Sequence, residues 1–169
     1  SCAPSPGQPH KAPFHIPVAI GLVDRDTGED IIGTQVLELR EASETFTFDL
    51  GNRTQAPTLS LLRDFSAPVK TTVKGQSPSD LAFLMGTDHD SFVRWDSGQT
   101  LATSVIMGLV DDVLAGRSLA LDPSFIEAAK AVLSSRNDGT DLSLIAYTLS
   151  LPTEGMLADT MREGTVDPG

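Results

Sequence analysis

The chain contains one cysteine, Cys2. A single thiol cannot close an internal disulfide, so the fold gains nothing from an oxidising compartment. Cys2 sits in a proline-rich stretch without a catalytic-cysteine signature and reads as an incidental thiol. Histidine is also scarce. Three residues, His10, His15 and His89, with no H-E-x-x-H and no C-x-x-C spacing, assemble no metal site by pattern. Positive charge is short as well: 12 Lys and Arg stand against 23 Asp and Glu, a net charge of −11. With no basic stripe to neutralise phosphates, this argues against nucleic acid or an anionic membrane surface as partner. No run approaches the ~18 unbroken apolar residues of a membrane span. The sequence has neither a Gly-rich phosphate loop nor a G-x-S-x-G elbow. The amino-terminal stretch lacks the basic start and apolar core of a signal peptide, and the expected localisation is cytoplasmic.

What is present is an ordinary globular composition, 40% apolar and 21% charged over 169 residues. That length can bury roughly two-thirds of the unfolded chain's surface. Residues 1–13, SCAPSPGQPHKAP, form an extended proline-rich leader. Without an initial Met, the leader reads as a connection within a longer chain. From Phe14 the pattern has period two, with Phe14, Ile16, Val18, Ile20 and Leu22 pointing inward and Pro17 marking an edge or a bulge. Asp24 to Glu29 is turn chemistry, with Gly28 available for positive φ. Further strands are expected at Val36–Arg40, at Thr45–Asp49 with Phe46, Phe48 and Leu50 inward, around Leu59, Leu61 and Phe65, and between Val69 and Val73. Strands at this spacing indicate an antiparallel, immunoglobulin-like β-sandwich.

The period changes at Gly75. Ser77-Pro78-Ser79-Asp80 is a helix start, with an N-cap, a proline at the first helical position and an acid behind it. Helices are expected over Leu81–Met85, over 91–115, from Asp122-Pro123 carrying Phe125, Ile126, Ala129, Val132 and Leu133, from Thr140 to Tyr147, and from Pro152 to Arg162. Gly116, Gly139 and Gly164 sit where carboxyl-terminal caps belong. The fold class is therefore α+β: a sandwich domain over 1–75, then the first helices of an all-α array over 76–169.

The densest polar stretch is HDSFVRWDSGQ, residues 89–99, which holds the only Trp. Asp90 or Ser91 can cap the long helix. Asp90 and Arg94, four apart, have the favourable order for an ion pair. Phe92 and Trp95 share a face that Ala102, Ile106, Leu109 and Val113 continue. The stretch reads as a cap plus an anchor. The competing catalytic reading of His89, Asp90 and Asp96 lacks a nucleophile with its base and orienting group.

Three segments together carry a resemblance: F-S-A-P-V-K at 65–70, S-D-L-A-F-L-M at 79–85 and D-S-F-V-R-W-D-S-G-Q at 90–99. With the leader P-G-Q-P-H-K-A-P-F-H-I-P-V-A-I at 6–20, their order resembles the bacterial aminopeptidase N family of gluzincin zinc metallopeptidases. The resemblance covers about residues 1–115. It implies a small β-sandwich that follows a thermolysin-like catalytic domain and precedes a large helical domain. It also implies that the zinc-binding H-E-x-x-H helix and the amine-recognising G-x-M-E-N segment lie upstream. None of those residues occurs here, so no catalytic, cofactor-binding or metal-binding residue is expected in this chain. The zinc belongs to the parent enzyme. The expected role is a non-catalytic piece of a peptidase that removes N-terminal residues, spacing and orienting the helical domain over the catalytic one. Its expected partners are the remaining domains of that parent and, through surface the parent would cover, a second copy. The alternative is a free-standing immunoglobulin-like interaction or adhesion module with a helical tail.

Overall fold

The structure, a computed structural model, describes residues 3–135 and 141–161. Cys2, Gly139, Thr140, Arg162 and Gly164, each part of an expectation above, lie outside them. The chain divides into two compact units, Ser1–Thr72 and Val73–Gly169.

The first unit is an antiparallel sheet of three strands, β1 Ile16–Val23, β2 Asp30–Leu39 and β3 Thr58–Leu61, in the order β2-β1-β3. β1 pairs with β2 from Ile16↔Leu39 to Val23↔Asp30 and with β3 from Ile20↔Leu61 to Val23↔Thr58. Pro17 is therefore at an edge locally: β3 does not reach that far, and the register irregularities fall later, around Leu22. The expected alternation of β1 gives way to burial of every residue from Ala19 to Val23, while Phe14 is exposed. The last part of β1 is covered because two strands flank it and the segment after β3 folds back on it. The Ala19 amide donates to Ser66 Oγ at 2.9 Å.

Two expected strands do not form among the described residues. Neither 44–50 nor 69–73 pairs with a strand of the sheet, and local hydrogen bonds hold the backbone at or beside their ends. The Arg40 amide donates to Glu44 Oε2, the Gly51 amide to Asp49 Oδ1, and the Val69 amide to the Ala67 carbonyl. Phe46 is exposed as a result. In β3 the inward residues are Thr58 and Ser60 rather than Leu59 and Leu61. Phe65 lies in a 3-10 turn, Arg63–Phe65, instead of a strand.

The reason is Arg63. Its side chain is buried, and its guanidinium makes a bidentate pair with Asp30 (2.6 and 2.7 Å). It also donates to Ser60 Oγ at 2.7 Å and Thr34 Oγ1 at 3.2 Å. A Cβ on Gly21 would lie 2.2 Å from its Cζ, so the glycine makes the space the guanidinium fills. Leu62, Asp64 and Phe65 take φ of 59°, 55° and 50° around it. Each such residue costs about 1–3 kcal/mol and persists only where its surroundings over-determine it. The buried pair supplies that constraint.

The second unit is helical: α1 Pro78–Thr87, α2 Ser91–Leu114, α3 Pro123–Ser134, α4 Leu142–Thr148 and α5 Glu154–Ala158. All five begin on a side-chain cap: Ser77 with Asp80 as a capping box, then Asp90, Asp122, Asp141 and Thr153. Gly116 ends α2 at φ 66°. α1 packs on α2 and α3, and α4 packs on α2. Met85, Ala128, Val132 and Ile145 form the core, with Ala82 and Leu149 against it. The stripe expected along α2 is buried only at its start. Ala102 is covered, Ile106 and Leu109 are half-buried, and Val113 is exposed. On α3, Ala128 and Val132 are inward, whereas Ile126 and Leu133 reach solvent. The last helix is much shorter than the span from Pro152 expected for it.

Candidate functional site

The stretch 88–99 forms a joint between helices. Asp88 caps the end of α1 and is buried; its Oδ1 accepts from the Asp90 amide at 2.8 Å. Asp90 Oδ1 in turn accepts from the Val93 amide at 2.9 Å and starts α2. Arg94 folds back to α1, where its Nε donates to the Met85 carbonyl at 3.2 Å. Desolvation lowers the Arg94 pKa, and the charge of Asp88 opposes that shift. Arginine remains a cation regardless.

Trp95 contacts Phe92 with ring centroids 5.9 Å apart, the shared face expected from their spacing. Its second partner is Tyr147 of α4, stacked at 5.3 Å with 14° between planes. Gly98 lets α4 approach: a Cβ there would meet the Thr148 carbonyl at 3.3 Å and Met85 Sδ at 3.4 Å. Gln99 Nε2 donates to the Ser150 carbonyl at 2.6 Å, closing the turn after α4. These hydrogen bonds of Asp88, Asp90, Arg94 and Gln99 all go to backbone groups.

Of the residues named in the catalytic reading of this stretch, His89 is exposed. The Asp90 carboxylate is used as a cap. Asp96 is surface-exposed, although partial desolvation still raises its carboxyl pKa. Among the described residues no three His, Cys, Asp or Glu side chains converge on a point that could hold a metal ion. No group among the described residues fits the zinc of a gluzincin. His10 and His15 are exposed; His15 lies 3.9 Å from Glu38. No helix is long and apolar enough to cross a membrane among the described residues.

Sequence reasoning missed Tyr147, the Gln99–Ser150 link and the Arg63 pin. Gly98 was the one available signal, since a glycine inside a helical run marks a close approach. Arg63 offered none: its acidic partner is 33 residues away.

Residues 1–74 match a family model described as a domain of unknown function (DUF3458) with an Ig-like fold, and residues 78–169 match its companion (DUF3458_C), described as ARM repeats. The chain belongs to this family. An Ig-like domain followed by a helical array is thus its fold class. Aminopeptidase N of Escherichia coli (strain K12) is 36% identical over 163 residues, covering 92% of this chain and 18% of that protein. Aminopeptidase N of Caulobacter vibrioides is 39% identical over 138 residues, covering 75% and 15%. A crystal structure of Legionella pneumophila aminopeptidase A in complex with aspartic acid aligns with a TM-score of 0.67 and 30% identity, over 86% of this chain and 16% of that one. The likeness of this DUF3458 chain to a section of aminopeptidase N is shown. The chain spans less than a fifth of the length of these relatives.

Proposed function

We propose that the chain is a non-catalytic section of a zinc aminopeptidase that removes N-terminal residues from peptides in the cytoplasm, and that it spaces and orients the helical domain relative to the catalytic one. The observation that carries this reading is that both halves align, in order, with one short section of aminopeptidase N. The chemistry of the residues agrees: buried polar groups are tied to caps, strand pinning and helix joints, as a strut requires. The partners of the strut are the remaining domains of its own polypeptide. Leu133, Leu142, Tyr147 and Leu151 are each about half exposed or more, an apolar surface those domains would cover.

Two experiments test this. The open reading frame that contains Ser1 should encode an H-E-x-x-H segment upstream; a frame without one rejects the reading. The isolated chain should associate as its concentration rises, because its apolar surface lacks the parent's cover. Static light scattering that reports a monomer at every concentration rejects that part.

A further inference from the structure

Three glycines lie inside α1 and α2, where each costs roughly 1 kcal/mol relative to Ala. Two are accounted for by helix crossings. A Cβ on Gly86 would stand 3.2 Å from Ala131 Cβ of α3, and one on Gly98 would stand 3.3 Å from the Thr148 carbonyl of α4. The third, Gly108, is exposed, and a Cβ there would meet nothing within 4 Å. (Gly155 is equally open but lies in the first turn of the five-residue α5.) Gly108 lines an open groove of about 350 Å³ along the second half of α2. Leu101, fully buried, and the half-buried Val105 and Leu109 also line it. Asp111, Asp112 and Asp122 line it too, and the Arg117 guanidinium is held by Asp112 at 2.7 Å.

We propose that Gly108 marks a third crossing: a further helix, supplied by the polypeptide outside residues 1–169, lies in this groove and approaches α2 most closely at Gly108. This rests on the reading of the chain as part of a longer enzyme whose relatives are more than five times its length. The occupant presents small and apolar side chains to Leu101, Val105 and Leu109. It carries a Lys or Arg toward Asp111, because the rim is acidic and its one cation is already paired with Asp112. A second copy of this chain fits worse: two acidic rims would face each other, and the net charge is −11.

Hydroxyl-radical footprinting of the unmodified proteins is the direct test. Val105 and Leu109 should be labelled in the 169-residue chain and protected several-fold in the longer polypeptide. Equal labelling in both overturns the proposal, and so does protection of the isolated chain, whether at all concentrations or only at high ones. A variant gives an independent reading. Gly108→Leu should raise the Tm of the isolated chain by about 2–4 °C, as the glycine's cost is removed. The same change should lower the Tm of the longer polypeptide by overpacking the crossing; a rise in both overturns the proposal. Zinc content and peptidase turnover of the longer polypeptide report separately on the enzyme reading. Their absence would reject that reading while the footprint still decides the helix.

Discussion

In the sheet unit the residue that touches all three strands is Arg63, whereas in the helical unit the residue that joins α2 to α4 is Trp95. The first works by charge and hydrogen bonds around a nearly dry guanidinium. The second works by ring stacking that remains half open to solvent. The difference follows from what each unit can bury. A three-stranded sheet encloses little apolar volume of its own, and the bidentate Arg63–Asp30 pair adds a geometric constraint across it. Helices that stack pairwise have apolar faces in supply, so their joint needs only shape, a glycine for approach and one side-chain link to the backbone.

That contrast can be broken. Arg63→Ala should have the largest effect: it leaves Asp30 partly buried without its partner and costs about 3–5 kcal/mol. Slow amides of Ile20 and Val23 should lose their protection, while the fluorescence of Trp95 stays unchanged. A loss of protection in both units would show that the sheet is not an independent pin. Trp95→Ala should come next, at about 3 kcal/mol, and should be seen as a lower urea midpoint of the helical circular dichroism signal with the sheet amides untouched. Gln99→Ala should cost about 1–2 kcal/mol, because it orphans the Ser150 carbonyl; the check is faster hydrogen exchange in α4. No change in that exchange would reduce the joint to its aromatic stack.

The smallest effect should be that of pH. Hydrogen bonds from Ser124 and Ser143 hold the carboxyls of Asp122 and Asp141 below the ordinary value. Their folded pKa lies below the unfolded one. The stability they lend is therefore complete above about pH 4 and is lost as pH falls through the folded values. Asp96 runs the other way. Desolvation raises its pKa, so the charge penalty it imposes on the folded state fades as pH falls toward the unfolded value. Asp96→Asn should remove that component from a urea-midpoint titration between pH 3 and 6 followed through Trp95. A titration that Asp96→Asn leaves unaltered would contradict its assignment.

How much of this was legible in the sequence depended on the range of the interaction. Helix starts were, because a cap acts over three residues: Ser77 with Asp80 and Asp90 with Val93 are visible as letters. The turn at Asp24–Glu29 was, for the same reason. The strands over 45–49 and 69–73 were misread because alternation reports which residues could face a core, not whether a neighbouring strand is there to pair with. The depth of the stripe on α2 failed similarly. Ile106, Leu109 and Val113 have the right period, and only the presence of a facing helix decides whether they are covered. Of the joint at 88–99, the cap and the Phe92–Trp95 face could be read. Tyr147 could not, being more than 50 residues away in the chain.

In the role proposed above, this polypeptide holds other machinery in place and carries none of its own. The most direct measurement compares zinc content by elemental analysis and hydrolysis of an aminoacyl-anilide for the 169-residue chain and for the longer polypeptide that contains it. The account predicts stoichiometric zinc and turnover in the longer protein and neither in the chain. Stoichiometric zinc together with turnover in the chain alone would contradict it.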